Sequence, residues 1–141
     1  MSFLLDTNVL SESSKPRPDD AVKDWLHDVD EDLLFVSAIS LAELRFGIER
    51  LAPGARRVNL ELWLRDSLVD RLGSRLLVVD GAIAAEWGTL QAQTEARGRR
   101  MNAIDCFLAA TARVHQLTMV TRDMEHFSGA GCELFNPWTA G

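Results

Sequence analysis

Apolar residues along this chain follow two patterns that alternate from end to end. Short unbroken apolar runs at Phe3 to Leu5, Leu33 to Val36, Leu76 to Val79 and Met119 to Val120, with a weaker one at Glu133 to Phe135, predict strands. Continuous rather than alternating apolarity belongs to strands covered on both faces. Between these runs the apolar positions recur every three or four residues. Asp19 or Asp20 caps a helix carrying Val22, Trp25, Leu26 and Val29. Ser40 opens a second, with Leu41, Leu44, Ile48 and Leu51 along one face and Pro53-Gly54 ending it. A third holds Leu60, Trp63, Leu64 and Leu68, and Gly73 is placed to stop it. Asp80 caps a fourth, with Ile83, Trp87 and Leu90 inward and Gly98 at its end. The fifth runs from about Ala103 to His115, where Ala109, Ala110 and Ala112 are small enough for close packing.

Strands alternating with helices specify an α/β fold: an open sheet of about five mostly parallel strands, right-handed crossovers, and helices on both faces. With no internal repeat or linker, residues 1–141 read as one domain. Ligands of such open sheets bind at the carboxyl ends of the strands, where the following helices begin.

At 47% hydrophobic and 26% charged residues, disorder and collagen-like repeats are excluded. A formal charge of −6 argues against a broadly basic polyanion binder. The spacing of the two cysteines, Cys106 and Cys132, matches no zinc pattern. The apolar start Met1 to Leu5 is cut off by Asp6 with no basic segment before it, and no stretch approaches the ~20 apolar residues of a membrane span. The expectation is a soluble, cytoplasmic protein with no membrane partner.

The acidic residues change the picture. Asp6 directly follows the first predicted strand and Asp123 follows the strand ending near Val120-Thr121, so both project from the carboxyl edge. Glu43 is expected in the first turn of the helix after the second strand, and Asp105 in the first turn of the alanine-rich helix. Singly, each has a bland role. Ser40-Leu41-Ala42-Glu43 is a capping box, Asn102 to Asp105 is a capped helix start, Asp6 is a turn residue, and Asp123 opens a short segment through His126. Jointly, four carboxylates at one edge need protonation or a hard divalent cation to coexist. Mg²⁺ or Mn²⁺ suits such an all-oxygen donor set. Such a site is suited to phosphodiester hydrolysis.

At these residues the chain resembles the PIN-domain ribonucleases, and in particular the FitB-like branch of the VapC toxins of type II toxin–antitoxin pairs. Leu5-Asp6-Thr7-Asn8-Val9 is similar to that family's N-terminal motif, and Ser40-Leu41-Ala42-Glu43-Leu44 to its second acidic motif. The third is matched by Ile104-Asp105-Cys106-Phe107-Leu108-Ala109-Ala110-Thr111-Ala112 and the fourth by Val120-Thr121-Arg122-Asp123. Phe127 and Phe135-Asn136-Pro137-Trp138 extend the likeness, while Met101-Asn102-Ala103 departs from it where many relatives carry a proline. The resemblance implies metal-dependent cleavage of RNA by Asp6, Glu43, Asp105 and Asp123, with Mg²⁺ or Mn²⁺ held by Asp6, Asp105 and Asp123 and by Glu43 directly or through water. It also implies that Asn8 and Thr121 orient ligands or substrate. A homodimer and a cognate antitoxin that blocks the site are implied too, with operator DNA bound only through the antitoxin.

Two other functions compete: a non-catalytic α/β module holding an acidic pocket for a partner's basic segment, and a haloacid dehalogenase-type phosphatase. Asn8 counts against the latter, which resembles Asp-x-Asp there. Arg97, Arg99 and Arg100 precede the Asp105 helix and either contact RNA phosphates or form an exposed basic helix end, and Arg45, Arg50 and Arg56-Arg57 share that ambiguity. His27, His115 and His126 are scattered and read as surface or locally bonded. Trp25, Trp63 and Trp87 read as core or interface residues, and Trp138 as lying against the sheet or across a dimer contact. No P-loop or Gly-x-Gly-x-x-Gly fingerprint occurs.

Overall fold

In a computed structural model describing residues 1–139, the five strands are β1 (Phe3–Leu5), β2 (Leu34–Ser37), β3 (Leu76–Leu77), β4 (Thr118–Val120) and β5 (Leu134–Phe135). They form one sheet in the order β3-β2-β1-β4-β5, and all four neighbouring pairs are parallel. The expected α/β architecture is therefore present.

Central β1 explains the unbroken apolar runs. Leu4 points into one core with Met119, and Leu5 into the other with Val36 and Val120. Each such burial contributes about 1.5–3 kcal/mol. One layer holds α1 (Thr7–Ser13), α2 (Asp20–Asp28) and α3 (Ala38–Glu49), joined by α4 (Ala55–Leu62) and α5 (Asp70–Leu72). The opposite layer holds α6 (Gly81–Ala96), α7 (Ala103–His115) and α8 (Met124–Phe127). The fully buried alanines of α7, Ala109 and Ala110, allow its close approach to its neighbours. Among the described residues, no helix is long and apolar enough to cross a membrane.

Four boundaries differ from the sequence expectation. The third predicted helix is α4 and α5 joined by a π-helical stretch, Trp63–Val69, which turns Leu64 and Leu68 inward before Gly73 (φ 55°) ends it. β3 stops at Leu77, leaving Val78 68% exposed, because this edge strand has a neighbour on one side only. Helix α3 starts at Ala38, with Ser37 rather than Ser40 as its N-cap and Ile39 N donating to Ser37 Oγ at 3.0 Å. Ser40 is therefore buried within the helix, and Glu43 sits in its second turn, not its first. Helix α1 had no sequence counterpart, since seven residues with Val9 and Leu10 adjacent show no helical repeat.

The tryptophans pack as expected. Trp25 sits edge-on to Phe3, Trp87 stacks on Phe107, and Trp138 packs against the core that contains Leu5.

Candidate active site

Strand order reverses between β1 and β4, so the connections leaving these two neighbours run to opposite sides and open a crevice at their carboxyl ends. Asp6 lies at that point. It ends β1, caps α1 by accepting from Thr7 N on Oδ1 at 2.7 Å, and accepts from Thr121 Oγ1 on Oδ2 at 2.8 Å. Only 7% of Asp6 is exposed, and this burial raises its pKa to about 6. The bonds from Thr121 and Thr7 lower it, while the charges of Asp105 and Glu43 raise it further.

Thr121 is fully buried and spends its whole hydroxyl on the site. It donates to Asp6 and accepts from Asp123 N at 3.0 Å and from Asn8 Nδ2 at 3.4 Å. Asn8 Nδ2 also donates to Asp123 Oδ2 at 3.3 Å. Asn8 Oδ1, at the other end of that amide, is buried and has no hydrogen-bond partner among the described residues.

Helix α3 presents Glu43, whose Oε1 accepts from Thr7 Oγ1 at 2.5 Å; Ser40 Oγ lies 3.1 Å from that same hydroxyl. Helix α7 presents Asp105 from its first turn. Asn102 Oδ1 accepts from Asp105 N at 2.8 Å, and Asn102 Nδ2 donates to Asp105 Oδ2 at 3.0 Å, so the cap also orients the carboxylate. Burial raises the Asp105 pKa; nearby His126 opposes the shift, and Glu43 and Asp123 reinforce it.

One open cleft is lined by Asp6, Asn8, Glu43, Asp105 and Asp123, with Lys15, Arg122 and Trp138 also on its walls. All four acidic residues singled out in the sequence thus face a common space, and each is held by a donor. His126, read from sequence as surface or locally bonded, is exposed and has Nδ1 at 3.4 Å from Asp105 Oδ2 and 3.9 Å from Asp123 Oδ2, a place beside the site that the sequence did not indicate. Thr7 was not singled out, because a hydroxyl beside an acidic motif carries no periodic signal, and Ser40 was read as a helix cap rather than as a neighbour of the Thr7 hydroxyl. Arg45 and Arg50 point elsewhere: Arg45 pairs with Glu49 at 3.5 Å, and Arg50 lies over the Phe46 ring.

Carboxylate and amide oxygens, with no thiol on these walls, form a donor set that a hard divalent cation would accept. Among the described residues no three acidic, thiol or imidazole groups converge on one point at ligand spacing. Repulsion between ionised carboxylates opposes such convergence, and the raised Asp6 pKa has the same sign. The residues fit a cation that would relieve this charge.

Residues 3–130 match the PIN domain family. The chain belongs to the PIN-domain family. This PIN domain is 37% identical over 136 residues to toxin FitB of Neisseria gonorrhoeae, covering 96% of the chain and 98% of FitB. It is equally 37% identical to VapC ribonuclease Y4jK of Sinorhizobium fredii, covering 96% and 97% of the two chains. A solved structure of FitAB bound to a DNA fragment superposes with a TM-score of 0.93 at 34% identity, covering 99% of this chain and 97% of that one. PIN-domain ribonucleases are generally divalent-metal dependent.

Proposed function

We propose that this PIN domain is a metal-dependent endoribonuclease, the toxin of a toxin–antitoxin pair, acting in the cytoplasm. The observation that carries this reading is the meeting of Asp6, Glu43, Asp105 and Asp123 in one cleft at the sheet's switch point. Its relatives' names, toxin FitB and VapC ribonuclease, support the same activity. FitAB and VapBC complexes solved on DNA support a cognate antitoxin that carries the complex to operator DNA; an antitoxin that blocks the cleft and a homodimeric toxin unit complete the proposal.

Asp6, Asp105 and Asp123 would hold Mg²⁺ or Mn²⁺, with Glu43 contributing directly or through water. When bound, the cation supplies a water of lowered pKa and charge to offset the phosphate. The chain's own groups do the positioning. Thr121 fixes the Asp6 carboxylate and the Asp123 backbone together, so two strands' ends cannot drift apart. Asn8 turns the exposed Asp123 toward the cleft, and Thr7 holds Glu43 against α1. Asn102 sets Asp105, and His126 closes the side between Asp105 and Asp123.

Wild type, Asp6→Ala and Asp105→Asn are to be assayed on RNA with Mg²⁺, with Mn²⁺ and with chelator. Cleavage only by wild type with metal is expected; equal cleavage by the variants would sink the site assignment. Calorimetry with Mn²⁺ separates this reading from a non-catalytic binding module, for which no metal uptake is expected.

A further inference from the structure

A second cleft adjoins the acidic one and shares three of its walls. Asn102, Asp105 and His126 line both, and beyond them the charged walls of the second cleft are Arg97, Arg99 and Arg100 against the one carboxylate of Glu125. In a chain of net charge −6, three arginines within four residues beside an acidic centre are a local inversion of sign. Their charges are largely uncommitted. Arg97 Nη1 donates to Gly129 O at 3.1 Å, Arg100 approaches Glu95 only to 3.9 Å with both side chains 67% exposed, and Arg99 has no ion-pair partner among the described residues.

The loop carrying these arginines is pinned from beneath. Gln91, 6% exposed on α6, donates through Nε2 to Met101 O at 2.8 Å and accepts from Met101 N on Oε1 at 3.1 Å. Thr94 Oγ1 donates to the same Oε1 at 3.0 Å, and Arg99 N donates to Thr94 O at 2.8 Å. The guanidinium charges are largely unpaired, while the backbone that aims them is fixed. Such preorganisation lowers the ordering cost of binding.

We propose that Arg97, Arg99 and Arg100 form a phosphate-binding platform that seats the RNA strand on one side of the scissile phosphate. This rests on the endoribonuclease reading and names how its substrate is held. Guanidinium groups match phosphate oxygens in a two-pronged geometry, and successive phosphates of a single strand match successive arginines. The shared walls make the track continuous with the acidic centre, which an acidic protein segment would have to avoid. Lys15, ion-paired with Glu12 at 2.9 Å, and Arg122, which lies over the Trp138 ring, flank that centre from the other cleft.

The test measures binding of a labelled single-stranded RNA against salt concentration in the Asp105→Asn background with Mg²⁺, so that cleavage is suppressed. Arg99→Ala/Arg100→Ala is compared with Lys23→Ala/Arg56→Ala, which removes the same charge from exposed sites outside both clefts. The first pair is expected to weaken binding about tenfold or more at low salt and to flatten the slope of log K against log salt by about 0.7 for each phosphate no longer neutralised. The control pair leaves the slope in place. Equal effects from the two pairs, or none from either, would overturn the platform. RNA bound through these arginines by a protein whose wild type cuts nothing would overturn the nuclease reading while leaving the platform standing; no RNA binding at all would overturn the platform.

Discussion

Thr121 Oγ1 donates to Asp6 Oδ2 at 2.8 Å, joining the ends of the two strands between which the sheet reverses its order. The same oxygen accepts from Asp123 N, so one buried hydroxyl serves two of the four carboxylate residues. Thr121→Val keeps the shape and removes these bonds together with the one from Asn8 Nδ2. The Asp6 carboxyl then loses a donor that holds its pKa down, and Mn²⁺ affinity at pH 7 is expected to fall about 10- to 100-fold. Thr121→Ser should restore most of it. Calorimetry on the three proteins checks this, and an unchanged affinity in the valine variant would remove Thr121 from the site.

Asp6 makes the metal-free protein sensitive to pH in a defined direction. Its folded pKa of about 6 stands above the ordinary 3.8, so the folded state holds the proton more tightly than the unfolded chain. Below about 3.8 the group is protonated in both states and its contribution is constant. As pH rises from there to about 6, the unfolded chain loses its proton first, and stability falls. Above that window the full penalty stands, up to about 3 kcal/mol at 1.36 kcal/mol for each unit. Urea unfolding at pH 5 and pH 8 in chelator should show wild type less stable at the higher pH, and Asp6→Asn should flatten the difference. Identical pH responses in the two proteins would refute the assignment.

The same proton competes with a cation. At pH values below about 6 the Asp6 carboxyl is protonated, and a divalent ion must displace that proton. Mn²⁺ affinity is therefore expected to fall by up to about tenfold for each pH unit below 6, and binding near pH 6 should release protons. Calorimetry in buffers of different ionisation enthalpy reads the proton count directly. Binding that is level from pH 5 to pH 7 would mean that Asp6 is not a ligand.

Much of this architecture was legible because strong local signals agree with the tertiary result. Apolar runs such as Phe3–Leu5 became strands because both faces of the sheet are covered, and Asp6 and Asp123 follow from where two of those runs stop. Asn102 capping Asp105 was readable from spacing alone. Helix α3 was misplaced at its start because Ser37 and Ser40 both carry capping chemistry, and only the end of β2 at Ser37 decides between them. Nor could sequence reveal His126 beside Asp105 or Thr7 beside Glu43, since these pairs form only when separate elements converge. The π-helical stretch after Leu62 was hidden for a related reason: its apolar positions satisfy an ordinary helical repeat nearly as well.

Gln91 tests whether the arginine loop must be held as well as charged. Its amide meets both the N–H and the C=O of Met101, and its Oε1 also takes the Thr94 hydroxyl. Gln91→Leu fills the same space without polar atoms and leaves the Met101 N–H and C=O without their partner, while the Thr94 hydroxyl keeps the backbone carbonyl of residue 91 at 3.1 Å. Unpaired buried groups cost about 1–3 kcal/mol each, so stability should drop by about 2 kcal/mol or more, and amide exchange at Met101 should quicken. A purely structural role would end there. If the clasp aims Arg99 and Arg100, the variant also shows a raised KM for RNA and a flatter salt slope at a temperature where it remains folded, with kcat changed less than KM. The loop's own geometry favours this outcome, because Met101 lies between those arginines and the Asn102 that caps Asp105, so release of one backbone residue loosens both clefts together. Lost stability with KM and salt slope intact would confine Gln91 to folding.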